Sequence, residues 1–278
     1  MKKICAITMA RNDAFFLEHW IAYYGAILGE ENLYIYLDGM DQPIPPNSGK
    51  ANITHCERVI GQVAASDRGR INRISDMAST LLKHYDLVIG TDADEFLILD
   101  PDTKETLPSY LSKLDIKCSV SGLGLDVGQK LGDETTIDGN LPFLSQRSYA
   151  VISSRYTKPV VLAKPVRWGA GFHRVKGHNF KIDHNLYLLH FGMFDMEMLK
   201  TRFQDKDRME AGWERHLKKR SKIIRLVTAR KAKDGDRYFG LARMIQTFCR
   251  PIFALNKPSM GRWKPVIKLP ERFKKIII

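Results

Sequence analysis

The stretch VIGTDADEFLIL, residues 88–99, begins and ends with apolar residues but carries three acids within four positions. Its apolar ends are typical of a buried strand. Asp92, Asp94 and Glu95 interrupt that pattern, and unpaired carboxylates are costly to bury. The sequence therefore predicts that a strand ends near residue 92 and that the acids follow it at a site where a cation can neutralise them.

Upstream of this stretch, apolar runs alternate with amphipathic segments. The apolar runs predict strands over 2–10, 32–38, 52–61 and 86–92, and helical periodicity predicts helices over 14–29 and 70–84. This order of strand, helix, strand, strand, helix and strand is typical of an α/β fold with a mostly parallel sheet flanked by helices.

The position of the acids suggests a metal site. Ligands of open parallel sheets bind beyond the carboxyl ends of the strands. If the backbone stays extended, Asp92 and Asp94 point to the same side, and carboxylates suit Mg²⁺ or Mn²⁺. Two acids separated by one residue also occur by chance, so the alternative is a loop whose acids cap a helix or pair with lysines.

Length and composition exclude several classes of protein. The 278 residues suffice for one large domain or for one domain with an appendage, and 44% are hydrophobic, which argues against global disorder. The four cysteines form no CxxC pair, which argues against a zinc site and a disulfide framework. The apolar run at the N-terminus is too short for a signal peptide, and we expect a cytoplasmic protein.

The net charge of +13 is unevenly distributed along the chain. Residues 1–195 hold 21 Lys and Arg against 23 Asp and Glu, whereas residues 196–278 hold 23 against 8. We therefore divide the chain into a near-neutral domain over 1–195 and a basic, mainly helical extension over 196–278. Such an extension suits an anionic partner, although a basic solvated helix face is the simpler interpretation.

The basic extension contains two helical patterns. Residues 195–233 predict one long helix or two, and residues 237–256 predict an amphipathic helix. Such a helix can lie on an anionic membrane surface, and the alternative is that it packs on the sheet. Its apolar positions are Phe239, Leu241, Met244, Ile245, Phe248 and Ile252.

Several segments together carry a resemblance to a known family. They are ITMARNDAFFLEHWIAYYGAILG (7–29), LYIYLDGMDQ (33–42), LVIGTDADEFLIL (87–99) and, more weakly, LYLLHFGMFD (186–195). On these motifs the chain resembles a glycosyltransferase of the GT-A fold, in the family-2-like group that carries DxDEF. The resemblance implies a Rossmann-like sheet, a nucleotide-sugar donor with UDP as the default carrier, and a bound Mn²⁺ or Mg²⁺.

The resemblance also implies roles for individual residues on the donor side. Asp94 matches the acid that ligates the metal, and Asp92 matches the acid that contacts the metal or the ribose. His190 matches the late histidine that completes the metal shell. The residues expected to contact the nucleotide are Arg11, Asp38 and Arg73, with Arg70 as an alternative to Arg73. The alternatives are that Asp38 is an ordinary turn residue and that the arginines at 11, 70 and 73 are surface cations. For His190 the alternative is a half-buried structural histidine.

The acceptor side lacks a clear motif. An inverting transferase needs a base for the acceptor hydroxyl, and we choose Asp126 first and His173 second. Other candidates are Glu134, Asp138 and Asp183. The segment 166–179 is rich in Gly, His and aromatic residues, so Trp168 or Phe172 could stack on a sugar, unless the segment is an ordinary hairpin.

These expectations combine into a metal-dependent glycosyltransferase. It would move a sugar from a nucleotide-diphosphate donor to a glycan or lipid-linked acceptor, as in the synthesis of surface polysaccharide or lipopolysaccharide. One alternative is a haloacid dehalogenase type phosphatase, whose DxD normally ends the first strand rather than the fourth. The other is a basic nucleic-acid-binding protein, for which no recognised motif is present, so no nucleic acid is expected.

Overall fold

The computed structural model describes residues 1–58, 63–210, 212, 214–251 and 255–278. They form an α/β fold in which helices flank a mixed sheet. The strands are β1 (Ile4–Ala10), β2 (Leu33–Asp38), β3 (Asn52–Cys56), β4 (Leu87–Gly90), β5 (Glu95–Leu99), β6 (Ser119–Val127), β7 (Tyr149–Ile152), β8 (Val161–Leu162), β9 (Ile182–His190), β10 (Lys233–Asp234) and β11 (Val266–Lys268). The helices are α1 (Ala14–Leu28), α2 (Val63–Leu81), α3 (Leu107–Lys113), α4 (Phe143–Gln146), α5 (Met196–Gln204), α6 (Lys206–Glu210), α7 (Glu214–Arg220), α8 (Lys222–Ala229) and α9 (Gly235–Phe248).

The sheet is parallel only in part. Strands β3, β2, β1 and β4 are neighbours in that order and run parallel, as a Rossmann-like fold requires. Beyond β4, the strand pairs β4–β8, β8–β6, β6–β7 and β7–β11 are antiparallel, and β9 runs parallel to β6 but antiparallel to β5. The prediction of a mostly parallel sheet is therefore wrong for the second half. The parallel pattern was predicted from residues 2–92, whereas β6, β7 and β8, which form the antiparallel pairs, lie in residues 119–162.

Strand β1 shows why the core has two layers. Its seven residues are all buried, and they alternate between the faces of the sheet. Ile4, Ala6 and Ala10 pack in the layer that contains α1, whereas Cys5, Ile7 and Met9 pack in the layer that contains α2. A continuous apolar run is therefore the signal of a strand covered on both faces.

The predicted elements of the first half are confirmed, with two differences. Helix α2 begins earlier than predicted, at Val63, and β3 ends at Cys56, while residues 59–61 of the predicted strand lie outside the described residues. In the basic extension, the segment predicted as one or two helices is divided into α5, α6, α7 and α8.

The end of the basic extension packs on the sheet. Phe239 and Ala242 of α9 are buried in the large core, as is Phe273 near the C-terminus, and β11 pairs with β7. The opposite side of α9 exposes Leu241, Met244 and Phe248, while Ile252 lies outside the described residues. Within the described ranges, no helix has the length and apolar character needed to cross a membrane. The division at residue 195 stays a prediction.

A buried ion pair ties α5 to the sheet. The Arg147 guanidinium donates to the Asp195 carboxylate at 2.7 Å, and both side chains are fully buried. Asp195 also caps α5 by accepting from the backbone N–H groups of Glu197 and Met198. The pair therefore satisfies a helix end as well as two charges.

We expect Arg147→Met to lower the free energy of unfolding by ~3–5 kcal/mol, because it leaves the Asp195 carboxylate buried without its cation. Urea denaturation followed by circular dichroism measures this loss. The control is Lys200→Met, which breaks the exposed Lys200–Glu197 pair and should cost less than ~1 kcal/mol. Equal losses in the two variants would contradict the assignment.

Candidate active site

The acids of the DADEF motif lie in a turn between β4 and β5. The Glu95 backbone N–H donates to the Asp92 carbonyl at 3.0 Å, so the chain does not stay extended here. The expectation that Asp92 and Asp94 point to the same side because of a straight strand is therefore wrong. Asp92 faces Arg70 and Lys158, whereas Asp94 faces His190 and Arg202. We call residues 92–95 the acidic turn.

Aromatic residues of α1 hold both sides of the acidic turn. The Trp20 indole N–H donates to the Thr91 hydroxyl at 2.8 Å, and the Tyr24 hydroxyl accepts from the Leu97 N–H at 2.9 Å. Both side chains are fully buried. The WIAYY segment near the start of the chain therefore fixes the position of acids that lie far from it in sequence.

Asp92 is neutralised by two cations of the protein. Arg70 Nη2 lies 2.7 Å from one of its carboxylate oxygens, and Lys158 Nζ lies 2.9 Å from the other. Burial alone would raise the pKa of Asp92, but the charges of Lys158 and Arg70 hold it well below its usual range. Asp92 is therefore an ion-paired carboxylate.

Lys158 also forms an ion pair with Glu95. Its ammonium lies 2.5 Å from Glu95 Oε1, and the lysine is only 2% exposed. Neither Glu95 oxygen makes a well-oriented hydrogen bond, and burial raises the pKa of Glu95 to about 7. Glu95 is therefore a fully buried carboxylate with unused acceptor capacity.

The ladder of the sheet places three of the side chains in one row. Glu95 on β5 is directly opposite His190 on β9, and His190 is in register with Asp126 on β6. Side chains of paired positions on neighbouring strands project to the same face. The row Glu95–His190–Asp126 is therefore set by backbone register.

His190 is held in a fixed orientation. Its Nδ1 lies 2.7 Å from Asp126 Oδ1, and the Tyr156 ring stacks on the imidazole with centroids 3.8 Å apart. Because an ionised carboxylate can only accept, Nδ1 donates to Asp126. In the neutral imidazole Nε2 then carries the lone pair, and Nε2 lies 3.7 Å from Asp94 Oδ2.

Gly192 leaves space between the two candidate ligand atoms. A Cβ added there would clash with Asp94 Oδ2 and lie 2.7 Å from His190 Nε2. Ligand atoms of Asp94, Glu95 and His190 all lie within 4.8 Å of one another. Carboxylates and one imidazole suit Mn²⁺, so the under-used Glu95 carboxylate and the space at Gly192 fit a divalent cation.

The predicted nucleotide contacts lie around the ends of β1 and β2. Arg11 makes a bidentate pair with Asp41 at 2.9 Å and also donates to the Asp38 carbonyl, so it secures the loop after β2. Arg73 donates to the Glu57 carbonyl. Of the two arginines on α2, the structure brings Arg70, rather than Arg73, to the acidic turn.

The two residues predicted to act as the base for the acceptor have different surroundings. Asp126 lies beside His190, and His173 Nδ1 lies 2.8 Å from the Arg155 carbonyl oxygen. Trp168 and Phe172 are fully buried in the core layer of α2, so neither offers a ring face to a sugar.

The other acidic candidates make structural contacts. Glu134 accepts from the backbone N–H groups of Lys130 and Ser148. Asp138 accepts from the Asn140 N–H, and Asp183 accepts from the Tyr110 hydroxyl.

Sequence reasoning missed Lys158, Glu95 as a possible ligand, Arg202 and Tyr156. Arg202 donates to Asp13 at 2.8 Å and lies 3.7 Å from Asp94. Lys158 occurs in an ordinary-looking segment, YTKPVV, with no motif around it. The sequence signal that could have indicated these cations is the negative charge of the acidic turn. Because such charge is costly to bury unpaired, it requires cations from elsewhere in the chain.

Comparisons with known proteins leave the family open. No family model matches the chain, and no curated protein matches it. Among solved structures, a mannose-1-phosphate geranyltransferase from Thermus thermophilus is 9% identical, with 98% of this chain and 76% of that chain covered and a TM-score of 0.29. A likeness of that size carries no argument about activity.

We expect Lys158→Met to lower the free energy of unfolding by ~3–5 kcal/mol, because the buried Glu95 loses its cation and the partly exposed Asp92 keeps only Arg70. Chemical denaturation with a fluorescence readout measures the loss. Lys113→Met is the matched control, since it removes an exposed lysine paired with Glu105 and should cost less than ~1 kcal/mol. A Lys158 variant as stable as the control would show that the acids do not depend on this ammonium.

Proposed function

We propose that the protein is a metal-dependent glycosyltransferase that uses a nucleotide-diphosphate sugar. The observation that carries the proposal is the cluster of Asp94, Glu95 and His190 around the space at Gly192. It lies beyond the carboxyl end of the parallel strand β4, where open α/β sheets bind their ligands. The sequence resemblance in residues 7–29 and 87–99 supports the same activity.

Asp94, Glu95 and His190 are the residues that would hold the cation. A divalent cation there would supply Lewis-acid stabilisation to the diphosphate leaving group. Lys158 and Arg70 keep Asp92 ionised and in place, and Arg202 adds positive charge beside Asp94. Trp20 and Tyr24 of α1 hold the residues on either side of the acidic turn in place.

The finer assignments extend the same proposal. UDP is the default carrier nucleotide, and the acceptor is a glycan or a lipid-linked glycan. Arg11 and Asp38 border the loop after β2, where a nucleoside would lie, and the cation would be Mn²⁺ or Mg²⁺. A cytoplasmic location at the inner face of a membrane fits such an acceptor and the basic extension.

We expect UDP or GDP to bind with micromolar affinity in the presence of Mn²⁺ and to lose saturable binding in Asp94→Ala and Gly192→Ala. Asp94→Ala removes a ligand, and Gly192→Ala fills the space between two ligands. Isothermal titration calorimetry with and without Mn²⁺ measures both effects.

Two matched variants control for general damage. Asp102→Ala removes an exposed acid, and Gly240→Ala adds a methyl group that meets no atom within 4 Å apart from its chain neighbours and the nearby backbone of its own helix. Both should bind nucleotide like the wild type. Absence of nucleotide binding in every condition would refute the proposal, and metal-dependent hydrolysis of p-nitrophenyl phosphate would favour the phosphatase alternative instead.

We expect Asp126→Ala to weaken Mn²⁺ binding by ~10–100-fold, because His190 loses the partner that orients its ring and fixes its tautomer. Mn²⁺ titration followed by electron paramagnetic resonance measures the affinity without any substrate. Asp126→Asn should weaken Mn²⁺ binding less, since its amide oxygen can still accept a hydrogen bond from His190 Nδ1. If both variants bind Mn²⁺ like the wild type while transfer activity is lost, Asp126 acts as the base and not as a positioning residue.

A further inference from the structure

Three cations come from different segments near Lys158, and the charges of Arg155 and Arg174 both act on Lys257. Arg155 belongs to the turn between β7 and β8, Arg174 follows His173 in the hairpin closed by the Trp168–Val175 bridge, and Lys257 belongs to the C-terminal part. We call Arg155, Arg174 and Lys257 the basic cluster.

Specific contacts hold these segments together. The His173 ring bonds the Arg155 carbonyl at 2.8 Å, and the Asn256 side chain donates to the Val175 carbonyl at 2.8 Å. The aliphatic part of Arg174 lies over Gly169, where an added Cβ would come within 2.9 Å of Arg174 Cγ. The fold therefore brings the three segments together, with Arg155 exposed and with Arg174 and Lys257 half-buried.

The basic cluster has no acidic partner within the described part of the chain. None of its three side chains makes an ion pair with a described carboxylate, and the nearby Asp92 is already paired with Arg70 and Lys158. Partial burial, and then the charges of Arg155, Arg174 and Lys158, lower the pKa of Lys257. The arrangement is electrostatically costly unless an anion is present.

The hairpin that carries Arg174 is conformationally unusual. Phe172 has φ of +60°, a left-handed conformation that a non-glycine residue rarely adopts. Its ring lies 5.7 Å from Lys158 Nζ and 6.0 Å from the Arg70 guanidinium carbon, the two cations that hold Asp92. The hairpin therefore connects the basic cluster directly to the acidic turn.

We propose that the basic cluster binds a phosphate group of a substrate. Arginine guanidinium groups match phosphate oxygens in bidentate geometry, and a phosphate would relieve the repulsion among the three cations. The phosphate can belong to the donor diphosphate or to a phosphate-bearing acceptor, and this proposal rests on the proposed transferase function.

The test titrates inorganic phosphate into the full chain at constant ionic strength in chloride buffer, with isothermal calorimetry as the readout. We expect saturable binding by the wild type and at least a tenfold weaker affinity in Arg174→Gln/Lys257→Gln. The control is Lys231→Gln, an exposed lysine of the same basic extension, which should bind like the wild type. Arg155→Gln provides a second variant if the double variant does not fold.

A repeat with saturating UDP and Mn²⁺ identifies the source of the phosphate. Phosphate that still binds assigns the basic cluster to the acceptor, whereas displaced phosphate together with weakened UDP binding in the double variant assigns it to the donor. Failure of UDP to bind refutes the transferase proposal but leaves the phosphate result standing. Equal phosphate affinity in the wild type and the folded cluster variants, or no saturable binding by the wild type, would overturn the proposal.

Discussion

The ammonium of Lys158 allows two carboxylates to lie under the end of β4. It is almost completely buried, and it contacts Asp92 and Glu95 at once. Without it, Glu95 would be a fully buried carboxylate with no cation, and Asp92 would keep only Arg70. Because Lys158 balances this charge, the acidic turn can pack against the aromatic residues of α1 and the neighbouring hairpin.

Backbone register, in addition to charge balance, determines where the side chains of the candidate site lie. Glu95, His190 and Asp126 meet because β5, β9 and β6 pair in one particular alignment. A slip of one residue in β9 would turn His190 to the opposite face of the sheet. The candidate ligands therefore owe their positions to the ladder, and the side chains around them refine the geometry through the Asp126 hydrogen bond and the Tyr156 stack.

The sequence pattern predicted the first half of the fold because β1, α1, β2, α2 and β4 carry local signals of period and burial. It also singled out Asp94 and His190, since an acidic strand end and a late histidine are visible without coordinates. It missed the antiparallel strands, whose neighbours are decided by connection geometry rather than by local composition. Lys158 and the pairing of Asp126 with His190 were equally invisible, because they depend on contacts between segments far apart in sequence.

The row of three strands also links the site to the folding of the chain. β5, β6 and β9 are adjacent in space but separated by long stretches of sequence, so their contacts form only after costly loop closure. The proposed ion, held by Glu95 and His190, would join β5 to β9, and binding that is confined to the native state would stabilise that state. Removal of the ion would then lower the free energy of unfolding of the chain.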